Sequence, residues 1–160
     1  MKTKMFYTFS FTDSVLDIKG YSGPEDFVVN YPFVPYQFIL IQKIFSEIRK
    51  HGAAGKHYSG AERSMLDGFQ IVAKSIEDKD EHAIAPLYPF YDSVHSWLDG
   101  SIRRVIERCQ KAADNHDGIE DIDVRVLKLL YLIRYIDDVK ANLDNIVILM
   151  ADDIRADKIE

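Results

Sequence analysis

Between Ile122 and Ile136 eleven of fifteen positions are apolar or aromatic, and only Asp123, Arg125, Lys128 and Arg134 interrupt them. A helix with one wet face would alternate cleanly every three or four residues. This stretch is apolar nearly all round, which predicts a central helix with others packed about it. Asp121 is placed to cap its start, and Asp137-Asp138 to end or bend it. Asn142 then suits the cap of a short helix over 143–150. The whole segment from Asp121 to Met150 reads as the part the rest of the chain is built around.

The same periodicity predicts the remaining elements. Pro24, with Glu25 and Asp26 behind it, opens one or two helical turns reaching Val29. Pro32 and Pro35 keep 31–34 out of regular helix. Pro35 itself suits the first turn of a helix over roughly 35–51, in which Phe38, Ile41, Ile44, Phe45 and Ile48 form the inner face. Ser59-Gly-Ala-Glu62 matches a capping box, so a helix over 60–77 should bury Met65, Leu66, Phe69, Val72 and Ile76. From Phe90 to Ala113, the residues Phe90, Val94, Trp97, Leu98, Ile102, Val105, Ile106, Cys109 and Ala113 keep helical spacing. They predict one long helix, with Gly100 inside it marking a bend or a close backbone approach. Asp114 to Gly118 is a turn by composition. Asp152-Asp153 reads as the start of a last helix, cut short at Glu160.

Residues 1–24 predict an extended or partly ordered arm; Met5, Tyr7, Phe9 and Phe11 alternate loosely with polar residues, which leaves a short strand open. The expectation is therefore an all-α protein, with about six helices over residues 25–160 and little or no sheet.

Composition narrows the class. Hydrophobic residues make up 47% and mean hydropathy is -0.17, as in a globular domain with a real core. The longest apolar run, Ile146 to Ala151, has six residues, whereas a membrane-spanning helix needs about twenty. Thr8, Ser10, Thr12 and Asp13 interrupt the N-terminal region where a signal peptide would be apolar. The single cysteine, Cys109, cannot form an internal disulfide and fits a cytoplasmic location. Net charge is -6, and residues 114–160 account for all of it, with twelve acids against six bases. Such a balance argues against a surface made over its whole extent for phosphate backbones.

No catalytic, cofactor-binding or metal signature emerges from the residues. Gly52-Ala-Ala-Gly55-Lys56 lacks the spacing and the following Ser or Thr of a phosphate loop, and reads as the end of a helix. The five histidines, at 51, 57, 82, 95 and 116, show no ligand spacing for zinc. Cys109 falls at a core position and reads as a packed thiol. The acid pairs at 137–138 and 152–153 read as solvated helix ends. Two basic groups stand out as an interaction surface: Arg103, Arg104, Arg108 and Lys111 along the long helix, and Lys50 and Lys56, with Lys43, Arg49 and Arg63, near the second. Each reads first as a solvated face. A nucleic-acid surface becomes credible if the two groups meet in space. Tyr31, Phe33, Tyr36 and Phe38 read as a packed hinge rather than a platform for bases.

Four phrases carry a further indication: EDFVVNYPFVPYQF (25–38), IRKHGAAGKHYSGAERSMLDGFQ (48–70), PLYPFYDSV (86–94) and VLKLLYLIRYIDDVKANLDNIVILMADDI (126–154). In the same order, they resemble an internal segment of the large P-loop ATPase of BREX phage-resistance systems, related to a component of the phage-growth-limitation system. The resemblance covers roughly 25–158. It implies a helical portion following an ATPase core whose nucleotide-binding motifs lie upstream, so no ATP-site residue carries over. It also implies a non-catalytic scaffold and interaction module in antiviral defence, meeting flanking regions or other subunits of a larger complex and able to form a homodimer through exposed apolar residues. The alternative is a DNA-contacting module in which helices 122–136, 143–150 and one starting at 153 begin a winged-helix unit.

Overall fold

A computed structural model describes residues 9–51 and 61–155. Among them the protein is all-helical, with seven α-helices and one isolated antiparallel bridge, Ala83 to Asp153. We number them α1 (Pro24–Asn30), α2 (Pro35–His51), α3 (Ala61–Lys74), α4 (Tyr91–Val94), α5 (Gly100–Asp114), α6 (Asp121–Ile133) and α7 (Leu143–Met150). Among the described residues no helix is long and apolar enough to cross a membrane.

Local chemistry explains most boundaries. Pro24 and the acids Glu25 and Asp26 start α1, and Tyr31 leaves helical geometry (φ -52°, ψ 135°) immediately before Pro32. Pro35 starts α2, where the Gln37 side chain accepts from the Val34 amide at 2.9 Å. Asn142 caps α7 by accepting from the Asn145 amide. His116 and Gly118 both adopt positive φ, which closes the turn between α5 and α6.

Several expected boundaries shift, among them the end of the central helix, which comes at Ile133 rather than at Ile136. Glu120, not Asp121, caps α6, because Glu120 and Asp123 exchange reciprocal backbone bonds. The long helix expected from Phe90 to Ala113 is broken at 95–99. There a 3-10 turn (His95–Trp97) runs into extended Leu98, and the Asp99 carboxylate caps α5 through the Ser101 amide at 2.7 Å. Gly100 is therefore the first residue of α5 rather than an interior bend. Finally, Asp153 opens no helix. The Ile84 amide donates to the Asp152 carbonyl and the Ile154 amide to the His82 carbonyl, so residues 152–154 lie along 82–84 as an extended pair. A third helix starting at 153, which the winged-helix alternative requires, is thus absent from the described residues. α3 ends at Lys74, with turns following where helix was expected through Glu77. The expected capping box begins at Ser59 and so lies partly outside the described residues, as do Met5 and Tyr7 of the supposed strand.

The core is richest along α2, where Tyr36, Leu40, Ile41, Ile44 and Ile48 are fully enclosed. α6 packs against α5, α7, α2 and the 88–94 turn. Its buried side chains, Val124, Leu129, Leu132 and Ile133, nevertheless lie on one side, and Ile122 is exposed. The apolar excess of this helix is thus shared between a buried face and half-buried flanks. Leu66 and Val105, both expected inside, point outward, because Met65, Phe69 and Val72 fill the inner face of α3 and Ile102 and Ile106 that of α5. At Gly68 α3 comes so close to α4 that an added Cβ would lie 2.9 Å from the Ser93 hydroxyl.

Two buried amides tie distant segments together. Gln37 donates to the Ala85 carbonyl at 2.6 Å while accepting from Val34. Asn145 donates to the carbonyls of Thr12 and Lys140 and accepts from the Thr12 amide. The N-terminal segment is further held by the Val15 amide and the Ser14 hydroxyl, both donating to the Asp138 carbonyl. Phe9, Ile18 and Tyr21 of this segment are buried in the common core.

Candidate functional site

α5 buries Ile102, Ile106 and Ala113, so the residues between them face outward. Arg103, Arg104, Arg108 and Lys111 are all exposed, and none takes part in an ion pair among the described residues. Lys50 is exposed at the end of α2 and bonds Glu47 at 2.6 Å, which holds that carboxylate below its ordinary pKa. Arg63 is exposed on α3, which packs against α2 and the 88–94 turn. Lys56 and the Gly52–Lys56 loop lie outside the described residues.

His51 at the end of α2 and Ser101 and Ile102 in the first turn of α5 line a common cleft of about 530 Å³ that the end of α6 completes, and none of Lys50, Arg103, Arg104, Arg108 and Lys111 lines it. Leu98 and Ile102, both buried, are its apolar lining; Tyr131, Arg134, Tyr135 and His51 line it together with Asp99 and Ser101. The His51 ring stacks on Tyr135 at 4.9 Å and 26°. The Arg134 guanidinium lies over the Tyr135 ring at 4.7 Å and near Tyr131 at 6.0 Å. Asp99 is kept below the usual carboxylate range by its hydrogen bonds to Ser101, with Arg104 and Arg103 adding to the effect. Both guanidinium groups fold back over the start of α5, 3.5 Å (Arg104) and 3.7 Å (Arg103) from where a Gly100 side chain would begin.

Tyr131, Arg134 and Tyr135 were not singled out from the sequence. Their i, i+3, i+4 spacing at the end of an apolar helix was the available signal. It acquires meaning only when His51 and Asp99 arrive from other elements.

A smaller crevice of about 200 Å³ lies between α4, α5 and α6. Within it Lys128 bridges to Asp92 at 3.0 Å, and burial, followed by the nearby Asp92 charge, pushes the Tyr91 hydroxyl up to about 12. Its charged groups serve to hold α6 to α4.

The other sequence candidates separate. His82 and His95 lie on different segments, and His95 is exposed beside the Asp92 carbonyl. Among the described residues no three His, Cys, Asp or Glu side chains converge for a metal. Cys109 is half-buried rather than a core thiol, because the inner face of α5 runs through Ile102, Ile106 and Ala113. One acid of each pair is held instead of simply solvated: Asp138 pairs with Lys43 and Asp153 with Arg155. Phe33 and Tyr36 are buried and Phe38 stacks on Phe69, as a packed hinge requires.

Compared with known proteins, the chain matches no family model, and no solved structure matches it at a significant level.

Proposed function

We propose that the chain is a non-catalytic helical interaction module, a segment of a BREX-type phage-defence ATPase lying outside its nucleotide-binding core. The four phrases quoted above support the family assignment. The observation that carries the interaction role is the outer face of α1. This helix buries no residue, and its adjacent Val28 and Val29 are 77% and 81% exposed. Leu66 and Leu143 add large apolar side chains at 67% and 76% exposure elsewhere on the surface. Side chains of this size in water favour a covering partner when they stand together. Among the described residues the buried polar side chains Gln37 and Asn145 are engaged in structural hydrogen bonds.

An antibody against this chain tests the segment reading in the native host. A band far above 18.4 kDa is expected; a band at that mass would sink the assignment to a large ATPase. The interaction role predicts that the isolated chain self-associates, and that Val28→Asp with Val29→Asp converts it to a monomer without changing its helical signal or melting temperature. Light scattering after gel filtration reads the first effect and circular dichroism the second. A double variant that unfolds would place α1 in the fold rather than in an interface.

A second reading, a DNA-contacting module of the same system, is favoured by one observation. The α2 and α5 segments that carry the two basic groups share a cleft with aromatic rings on its wall.

A further inference from the structure

We propose that the cleft between α2, α5 and α6 binds a nucleoside phosphate, with the base against the Tyr131 ring and the phosphate on Arg134, which the Tyr135 ring holds in place. This deepens the DNA-contacting reading and is independent of the interaction role of α1. The space, about 530 Å³, falls within the range of small-ligand sites.

Arg134 carries most of the recognition. Its guanidinium uses a face against Tyr135, and the five N–H donors of a guanidinium lie in its plane. Its edges therefore remain available to phosphate oxygens in a bidentate arrangement, and no acid among the described residues forms an ion pair with it. Packing on the ring also fixes the side chain in advance, which lowers the entropy lost on binding.

Charge supports the same assignment. Within a chain of net charge -6, Arg134 lines the cleft and Arg104 and Arg103 act on Asp99 at its edge, with Arg49 and Lys50 preceding His51 on α2. Asp99 is the acid that lines the cleft, and it is already engaged by Ser101. Several cations suit a phosphate better than a single carboxylate. The start of α5 is not the anion site, because Asp99 occupies its Ser101 amide. Ser101 and Asp99 line the same cleft and offer partners to the polar edge of a base. The buried Leu98 and Ile102 keep that side dry, which strengthens each polar contact.

A nucleoside phosphate can be a free nucleotide or one unit of a single strand, and two arms of one experiment separate them. Adenosine monophosphate is followed by saturation-transfer NMR, and a labelled oligothymidylate by fluorescence anisotropy. Saturable binding is expected in at least one arm, weakened roughly tenfold or more by Arg134→Gln and by Tyr131→Leu. Lys74→Gln on α3 should leave it unchanged. Arg134 is exposed, so its variant should fold, and matching circular-dichroism melts confirm this. Absence of binding in both arms at low salt overturns the proposal. So does binding that survives Tyr131→Leu and is displaced equally well by pyrophosphate, since that would reflect charge alone. If the DNA-contacting reading holds but the cleft is not the site, oligothymidylate still binds and Arg134→Gln has no effect.

Discussion

Replacing Phe90 with alanine should destabilise the fold by about 3–5 kcal/mol, the usual cost of removing a buried aromatic ring. Phe90 is fully enclosed where the 88–90 turn enters α4, and its ring meets Phe69 at 5.0 Å and Phe33 at 6.4 Å. Phe33 in turn meets Phe69 at 5.0 Å, and Phe38 stacks on Phe69 at 5.3 Å. Four rings from the hinge, α2, α3 and the α4 turn thus share one cluster. Its neighbours have little freedom to collapse into the gap. Gly68 already holds α3 so near that a Cβ there would lie 3.1 Å from the Phe90 ring. Urea denaturation should show a lower midpoint with an unchanged slope. A loss under about 1 kcal/mol would mean that the cluster repacks freely, contrary to the close approach at Gly68. Phe38→Ala should cost less, since Phe38 is only half-buried.

The second large effect is expected at Asn145, one of two buried polar side chains among the described residues. Alanine there removes the partners of the Thr12 amide, the Thr12 carbonyl and the Lys140 carbonyl at once. Each unsatisfied buried group costs on the order of 1–3 kcal/mol. These sites are partly buried, so about 2–4 kcal/mol in total is expected. Asn145→Asp should be no better, because a carboxylate cannot donate to the two carbonyls. Hydrogen exchange gives the decisive readout. The Thr12 amide should lose more protection than the Leu129 amide in the core, and equal losses at both would show that Asn145 does not act through the N-terminal segment.

How far these features could be read in advance depended on how local their causes are. α2 was legible because Pro35 and the three-four spacing of Ile41, Ile44 and Ile48 act within the helix itself. The Asn142 cap of α7 was legible for the same reason. The break before α5 was not. Apolar spacing runs uninterrupted across it, and the deciding bond, Asp99 to Ser101, competes at the level of a single turn. Leu66 and Val105 were misplaced because periodicity locates an apolar stripe without showing how wide a strip the neighbouring helices cover. Of the site, the basic residues of α5 were evident from spacing, whereas the cleft was hidden. His51, Asp99 and Arg134 come from three elements, and only the tertiary fold brings them together.

The ties that fasten the N-terminal segment have a bearing on synthesis. Thr12 is bonded to a residue 133 positions later, and Val15 to Asp138. A ribosome releases the chain from its first residue onward, so this segment emerges long before its anchors exist. Phe9, Ile18 and Tyr21 must then wait, unfastened, while nearly the whole fold is made. Contacts of such long sequence separation slow folding. They also place the closing of these ties after α7 has emerged.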